Sequence, residues 1–236
     1  MKILPDIYLL SGFAWQRHQN VYGIDFPQEK RLVLIDCGLD GGDLAVMDRT
    51  RAIWQLTDRK VSHVFVTHSH FDHAGNASWF EAHGARILAG ADGKSLLSGD
   101  EHTIDFAYQR PFPVCREVTI LEDGACVELA PGYRIICHET PGHTAGSVCY
   151  ELRCRERRIW FTGDFVQTGE QPDQVRLGIK VDSSYSYEQY LLSMRKMKDV
   201  ESDGVLPGHY SPYLKSGSGL FQAAYRELLA ERDQYQ

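Results

Sequence analysis

The chain has 236 residues, 43% of them hydrophobic and 24% charged, with a formal net charge of −7. That is enough apolar material for a full core, most simply as one domain over residues 1–236, with two layered halves as the variant. The acidic balance argues against a nucleic-acid backbone as partner, the lack of any apolar run of spanning length argues against a membrane, and the absence of charge blocks or low-complexity tracts argues against wholesale disorder.

Residues 1–6 have their apolar stretch broken by Pro5 and Asp6, which suits a first strand and not an export signal. Residues 7–10 and 21–25 are short apolar stretches, and Pro27-Gln28-Glu29-Lys30 reads as a polar hairpin turn. Residues 31–36 form a nearly continuous apolar run, fit for a strand buried on both faces and ending in Asp36-Cys37-Gly38. Leu44, Met47, Ile53 and Leu56 are spaced for a helix over residues 43–57, and residues 61–66 form the next strand. A short helix over residues 77–83 ends at Gly84, with His83 as a surface histidine of its last turn; a strand at 86–89 and a helix at 91–98 follow.

Residues 99–117 are the least regular part, rich in aromatic and proline residues: Phe106, Tyr108, Pro111, Phe112 and Pro113. Such a loop either overhangs a site as a lid, with His102 and the aromatics touching substrate, or packs on the outside through its own rings. Thereafter the chain turns β-rich, with strands at 118–121, 126–129, 133–137, 148–152 and 158–162. The basic run 153–157 reads as a solvated hairpin tip. A helix over Tyr187–Met197, a short strand at 205–206 and a helix at 220–232 complete the chain. The six cysteines show no C-x-x-C spacing, and without an export signal they read as reduced thiols of a cytoplasmic protein; a Cys149–Cys154 bridge across a hairpin is the alternative.

The chemistry gathers in Thr67-His68-Ser69-His70-Phe71-Asp72-His73, directly after the strand 61–66. In a strand His73 would face away from His68 and His70, and on a helix steps of two point to opposite sides. The segment therefore makes sense as a strand ending in a tight loop that turns its side chains onto one point. Three imidazoles and a carboxylate at one point suit a transition-metal ion, zinc foremost. A chance cluster of surface histidines is the alternative, improbable with ten histidines in the whole chain. Three further candidates stand at strand or loop ends, each directly after a glycine that lets the backbone turn sharply: His143, Asp164 and His209. His63 and His138 fit no such pattern and read as structural.

In this order the motifs resemble those of the metallo-β-lactamase superfamily, specifically its glyoxalase II-like majority, over about residues 6–212. The resemblance implies an αββα sandwich: two mixed β-sheets face to face with helices on the outer faces, an α/β arrangement in which periodicity alone gives only α with β. It implies that His68, His70 and His143 hold one metal, that Asp72, His73 and His209 hold a second, and that Asp164 bridges them. The implied cofactors are two divalent ions, zinc first, with iron or manganese as alternatives, each with an open position of the kind that marks a catalytic ion. A shared water would become the attacking hydroxide, with Asp72 as the catalytic residue that orients it and shuttles its proton. Asp36 matches the family's strand-end aspartate, which supports the metal loop; capping the helix 43–57 is its other possible use.

The departures narrow the activity. The secreted antibiotic-degrading branch carries Cys where Asp164 stands, which argues against β-lactam hydrolysis. Only 27 residues follow His209, too few for the glutathione-gripping helical domain of typical glyoxalase II enzymes. The acyl-homoserine lactonases are similar in size and in the helix before the last ligand, but carry Tyr where this chain has Gln167, a donor that Tyr185 or Tyr22 would have to replace. The expectation is a cytoplasmic dinuclear hydrolase of a small-molecule ester, thioester or lactone. Rivals are an oxidoreductase similar to the mononuclear iron persulfide dioxygenases and a non-catalytic binding protein on the same fold.

Overall fold

The apolar runs of the first half lay down one sheet whose seven strands lie side by side in chain order: β1 (Lys2–Leu4), β2 (Ile7–Ser11), β3 (Val21–Phe26), β4 (Arg31–Ile35), β5 (Lys60–Val66), β6 (Arg86–Ala89) and β7 (Thr119–Ile120). The computed structural model describes residues 1–171 and 174–232 and divides into two units, Met1–Ile120 and Leu121–Gln236. In the first unit β1 to β4 pair antiparallel, whereas β4, β5, β6 and β7 run parallel. The helices are α1 (Gly41–Ile53), α2 (Phe71–Ala74), α3 (Ala77–Ala82), α4 (Gly93–Ser98) and α5 (Asp105–Tyr108). Leu32, Leu34, Val64 and Val66 are fully buried against Met47, Leu56 and Phe71, each contributing roughly 1.5–3 kcal/mol of transfer free energy.

α1 starts two residues before the expected position because Asp40 caps it, accepting from Gly42 N at 2.8 Å. It stops at Ile53, short of residue 57, and Gln55 turns left-handed at φ 57°. Arg17 ties this corner down, its Nη2 standing 2.8 Å from both Asp40 and the wholly buried Asp43. Burial alone would raise the Asp43 pKa, but bonds from Arg17, Ser11 and Leu39 outweigh it and hold the carboxyl below its ordinary range.

Within residues 99–117 the left-handed residues Gly99, Ile104 and Gln109 break the chain into short turns and α5. Tyr108 and Phe112 pack inward, their rings 5.3 and 5.2 Å from that of Phe71, with the Arg110 guanidinium 4.7 Å from the same ring. Phe106 faces solvent. For Tyr108 and Phe112 the packed arrangement therefore describes the segment.

In the second unit the sheet order is β14-β11-β10-β9-β8, from β8 (Cys126–Ala130), β9 (Tyr133–Glu139), β10 (Val148–Cys154), β11 (Arg157–Gly163) and β14 (Gly204–Pro207). β11 and β14 are parallel and the other pairs antiparallel, so this sheet too is mixed. β12 (Gln167–Thr168) and β13 (Val175–Arg176) make a small separate ladder that the sequence pattern did not anticipate, two residues being too short to display a period. α6 (Tyr187–Met197) is capped by Ser186 and packs Tyr190, Met194 and Met197 with Phe221, Ala224 and Leu228 of α7 (Ser218–Arg232). Among the described residues no helix is long and apolar enough to cross a membrane.

The basic run turns over at Arg155-Glu156, with Arg155 at φ 56°, as a two-residue hairpin tip. Cys149 and Cys154 both lie on β10, five residues apart and therefore on opposite faces, so no bridge joins them across a hairpin. Each of the six cysteines is a free thiol. His138 serves structure: its Nε2 is 3.1 Å from Glu151 Oε2, and Arg153 Nε donates to Glu151 Oε1 at 2.8 Å.

Burial pushes the Glu151 carboxyl up, but the bonds from His138 and Arg153 prevail and bring its pKa down from 4.5 to about 2. A depressed carboxylate contributes stability that is present above its unfolded pKa and is lost as pH falls through its folded one. The metal-free protein should therefore lose stability between pH 4.5 and about 2 through this residue. Urea denaturation across that range should show a shallower acid decline for Glu151→Gln, which starts less stable at neutral pH. Parallel acid declines for the two proteins would refute it.

Candidate metal centre

In parallel strands the carboxyl ends gather at one edge of the sheet, the usual place for a site. In the first unit that edge carries Asp36 after β4, Thr67 to His73 after β5 and Asp92 after β6. Asp36 sits in the left-handed region at φ 57° and is buried. Its Oδ1 accepts from Thr67 N at 2.8 Å, Thr67 Oγ1 stands 2.9 Å from its Oδ2, and His73 Nδ1 lies 2.9 Å from the same oxygen. An ionised carboxylate only accepts, so His73 Nδ1 carries the hydrogen and Nε2 is left with the lone pair a metal requires. Asp36 thus supports the loop, and capping of α1 falls to Asp40.

The expected tight loop holds for residues 67–70, and Asp72 and His73 then sit on the single turn α2. His68 lies between the other two imidazoles, its ring centroid 4.6 Å from that of His70 and 4.1 Å from that of His73. One nitrogen of His68 comes within 4.8 Å of a nitrogen on each. All three rings are buried, while Asp72 keeps 14% of its side chain exposed, with Oδ2 3.6 Å from His73 Nε2.

In the second unit His143 lies in the β9–β10 connection, Asp164 follows β11 and His209 follows β14. Because β11 and β14 are parallel neighbours, Asp164 and His209 leave the same edge, and Gly208 N donates to Gly163 O at 2.8 Å. Asp164 divides its two oxygens: Oδ2 is 3.6 Å from His143 Nε2 and Oδ1 is 3.4 Å from His209 Nε2. These separations exceed ordinary N–H···O bonds of about 2.7–3.2 Å. They match the distance between two ligands on one tetrahedral ion, roughly 3.3 Å for metal–nitrogen bonds near 2.0–2.1 Å. The donors present therefore suit a divalent ion on either side of Asp164.

Glycines and one tyrosine set this geometry. Gly142, at φ 152°, leaves no room for a Cβ, which would lie 2.5 Å from Tyr190 Cα. The Tyr190 hydroxyl donates to Phe165 O, stands 3.2 Å from Asp164 O and accepts from Gly178 N at 3.0 Å. Gly178 in turn lies against His143. No sequence signal marked Tyr190 or Gly178: one is an ordinary core position of an amphipathic helix and the other an isolated glycine. Of the tyrosines that could replace the donor absent at Gln167, Tyr22 is buried with its oxygen accepting from Asn20 Nδ2 at 3.1 Å. Tyr185 is half-buried and lines a groove of about 760 Å³ with Leu177, Ile179, Leu191 and Leu192.

The family model described as the metallo-beta-lactamase superfamily matches residues 14–209. A hydroxyacylglutathione hydrolase of Rhizobium meliloti is 32% identical over 112 residues, 47% of this chain and 34% of that protein. A probable polyketide biosynthesis zinc-dependent hydrolase of Bacillus velezensis is 33% identical over 156 residues, 64% of this chain and 58% of that protein. The chain thus spans about one third and just under three fifths of the length of these relatives. A subclass B3 metallo-β-lactamase with an active-site glutamic acid aligns with a TM-score of 0.76 at 23% identity, over 98% of this chain and 89% of that one. The B3 enzyme BJP-1 of Bradyrhizobium japonicum aligns at 0.75 and 20% identity, over 100% and 92%. At these identities the likeness establishes the fold, which is the expected one.

A Cβ on Gly178 would lie 2.5 Å from both His143 Nδ1 and Asp164 O, and Gly178 needs no unusual φ. Gly178→Ala should therefore push on the His143 ring and the Asp164 carbonyl directly, costing about 1–3 kcal/mol by overpacking. Urea denaturation should register that loss, and a chelator competition should show weaker metal retention. Unchanged retention in a folded variant would mean that Gly178 does not hold His143 in place.

Proposed function

The chain belongs to the metallo-β-lactamase superfamily, and we propose that it is a dinuclear metal-dependent hydrolase of small-molecule carboxylic esters, thioesters or lactones. The observation that carries this is the Asp164 carboxylate, with one oxygen turned to His143 and the other to His209 at ligand-to-ligand distances. His68, His70 and His143 would hold one ion, Asp72, His73 and His209 the other, and Asp164 would belong to both. The names of the relatives support hydrolysis, and one of them supports zinc. Two divalent cations, when bound, lower the pKa of an attacking water and polarise the scissile carbonyl.

The chain's own residues do the rest. Asp72 and Asp164 are the only anionic ligands of the seven, so two dications leave the centre with a net positive charge. That charge favours the oxyanion of a tetrahedral transition state. Asp72 is the one carboxylate on the helical turn beside His73, and its partial exposure lets it accept the attacking water's proton and return it to the departing alkoxide or thiolate. Asp36 keeps the His73 lone pair on Nε2 throughout. The free thiols suit a reducing compartment, and we place the protein in the cytoplasm.

Metal analysis with a substrate panel tests the proposal: about two zinc ions per chain, with turnover of a thioester or lactone above that of a β-lactam. About one iron per chain with turnover of a persulfide would replace it by the oxidative activity. Asp164→Ala should lose metal from both positions and cut turnover by orders of magnitude, since the cations then face each other without a shared anion. Asp72→Asn should lower turnover by about 10²–10⁴-fold while metal content stays near normal. Excess zinc should not restore it, and the loss should shrink for substrates with good leaving groups. Full rescue by zinc on a poor-leaving-group lactone would reduce Asp72 to a ligand.

A further inference from the structure

The ligand loop leaves the first sheet between two neighbouring strand ends, and each neighbour sends a carboxylate into it. From β4, Asp36 holds Thr67 and His73. From the other side, just past β6, Asp92 reaches Ser69, the residue between His68 and His70. Asp92 Oδ2 accepts from Ser69 N at 3.0 Å and lies 3.3 Å from Ser69 Oγ, which stands 2.9 Å from the carbonyl oxygen of His102. Asp92 directly precedes α4, where its ordinary use would be to cap the helix, yet it makes no cap bond there. Asp92 and Ser69 are both buried. Burying an ionised carboxylate is costly unless it is hydrogen-bonded, and the charge-assisted bond from Ser69 N helps to offset that cost, the Ser69 hydroxyl proton going to the nearer His102 carbonyl.

We propose that Asp92 is a positioning residue that sets the placement of His68 and His70 through Ser69. With the Ser69 peptide pinned on one side by Asp92 and its hydroxyl on the other by the His102 carbonyl, the two imidazoles spring from one fixed tripeptide. Asp36 performs the corresponding task for His73 and also reaches His68 through Thr67, whose Oγ1 stands 3.1 Å from His68 Nδ1, whereas Asp92 bears on the first metal position through Ser69. This rests on the dinuclear assignment of the ligands.

The test is a cobalt(II) titration of the metal-free protein against a competing chelator, followed through the d–d absorption, for wild type, Asp92→Ala and Asp92→Asn. Repeating it in a His209→Ala background, where the ligands of the first position are intact, tells the two positions apart. Asp92→Ala should weaken the first position by about 10–100-fold, shift its d–d band and leave the second within a few-fold. Asp92→Asn keeps an acceptor oxygen and should lose only about two- to fivefold, again at the first position alone. If the alanine variant does not fold, the asparagine variant carries the test by itself. Equal weakening at both positions, or no weakening at the first, overturns the proposal. A wild-type chain that binds a single ion overturns the dinuclear reading instead, and the clamp then stands or falls on whether Asp92→Asn weakens that ion.

Discussion

The carboxylate of Asp36 is the interaction on which the histidine loop of the first unit depends. It is a buried charge on a left-handed, non-glycine residue, a backbone conformation that costs roughly 1–2 kcal/mol. Such a residue persists only where its surroundings over-determine it. Here Asp36 N donates to Phe65 O and Cys37 N to His73 O, both at 2.8 Å, while the side chain collects Thr67 and His73. Backbone and side chain together stitch the end of β4 to the start and finish of the histidine loop, residues 67–73. The loop histidines are thereby held in one arrangement by the fold itself.

The second unit reaches the same end by different means. His143, Asp164 and His209 follow glycines, and they are held by close approach and by backbone bonds. Gly142 lies against Tyr190, Gly178 lies against His143, and Gly208 is bonded to Gly163. One unit spends a buried charge on orientation, and the other spends side-chain volume. A charge can be retuned by its hydrogen-bond partners, whereas a glycine at van der Waals contact has no substitute.

Much of this was legible in the sequence because it is local. The strand ending at Val66 with its histidine cluster, the glycine before each of His143, Asp164 and His209, and the helix Tyr187–Met197 are all written in neighbouring residues. What escaped depends on partners far apart in the chain. Asp36 and Asp40 offer similar sequence cues for capping, and only the register of β4 on β5 sends Asp36 to Thr67 and leaves α1 to Asp40. Ser69 and Asp92 are separated by 23 residues and meet because β5 and β6 end side by side. Residues 149 and 154 share one strand because β10 continues to Cys154 before it turns, two residues beyond the apolar run. The aromatic residues after Gly99 read equally well as lid or packing until Phe71 was found beneath two of them.

Each sheet keeps its chemistry at one end of its strands. The opposite ends are closed by short polar turns: residues 27–30 between β3 and β4, 131–132 between β8 and β9, and 155–156 between β10 and β11. None of these turns holds a candidate ligand. The chain is thereby divided into strand ends that carry the candidate site residues and strand ends that do not. The same division offers the experimenter places to graft a tag or a fused domain away from the candidate site.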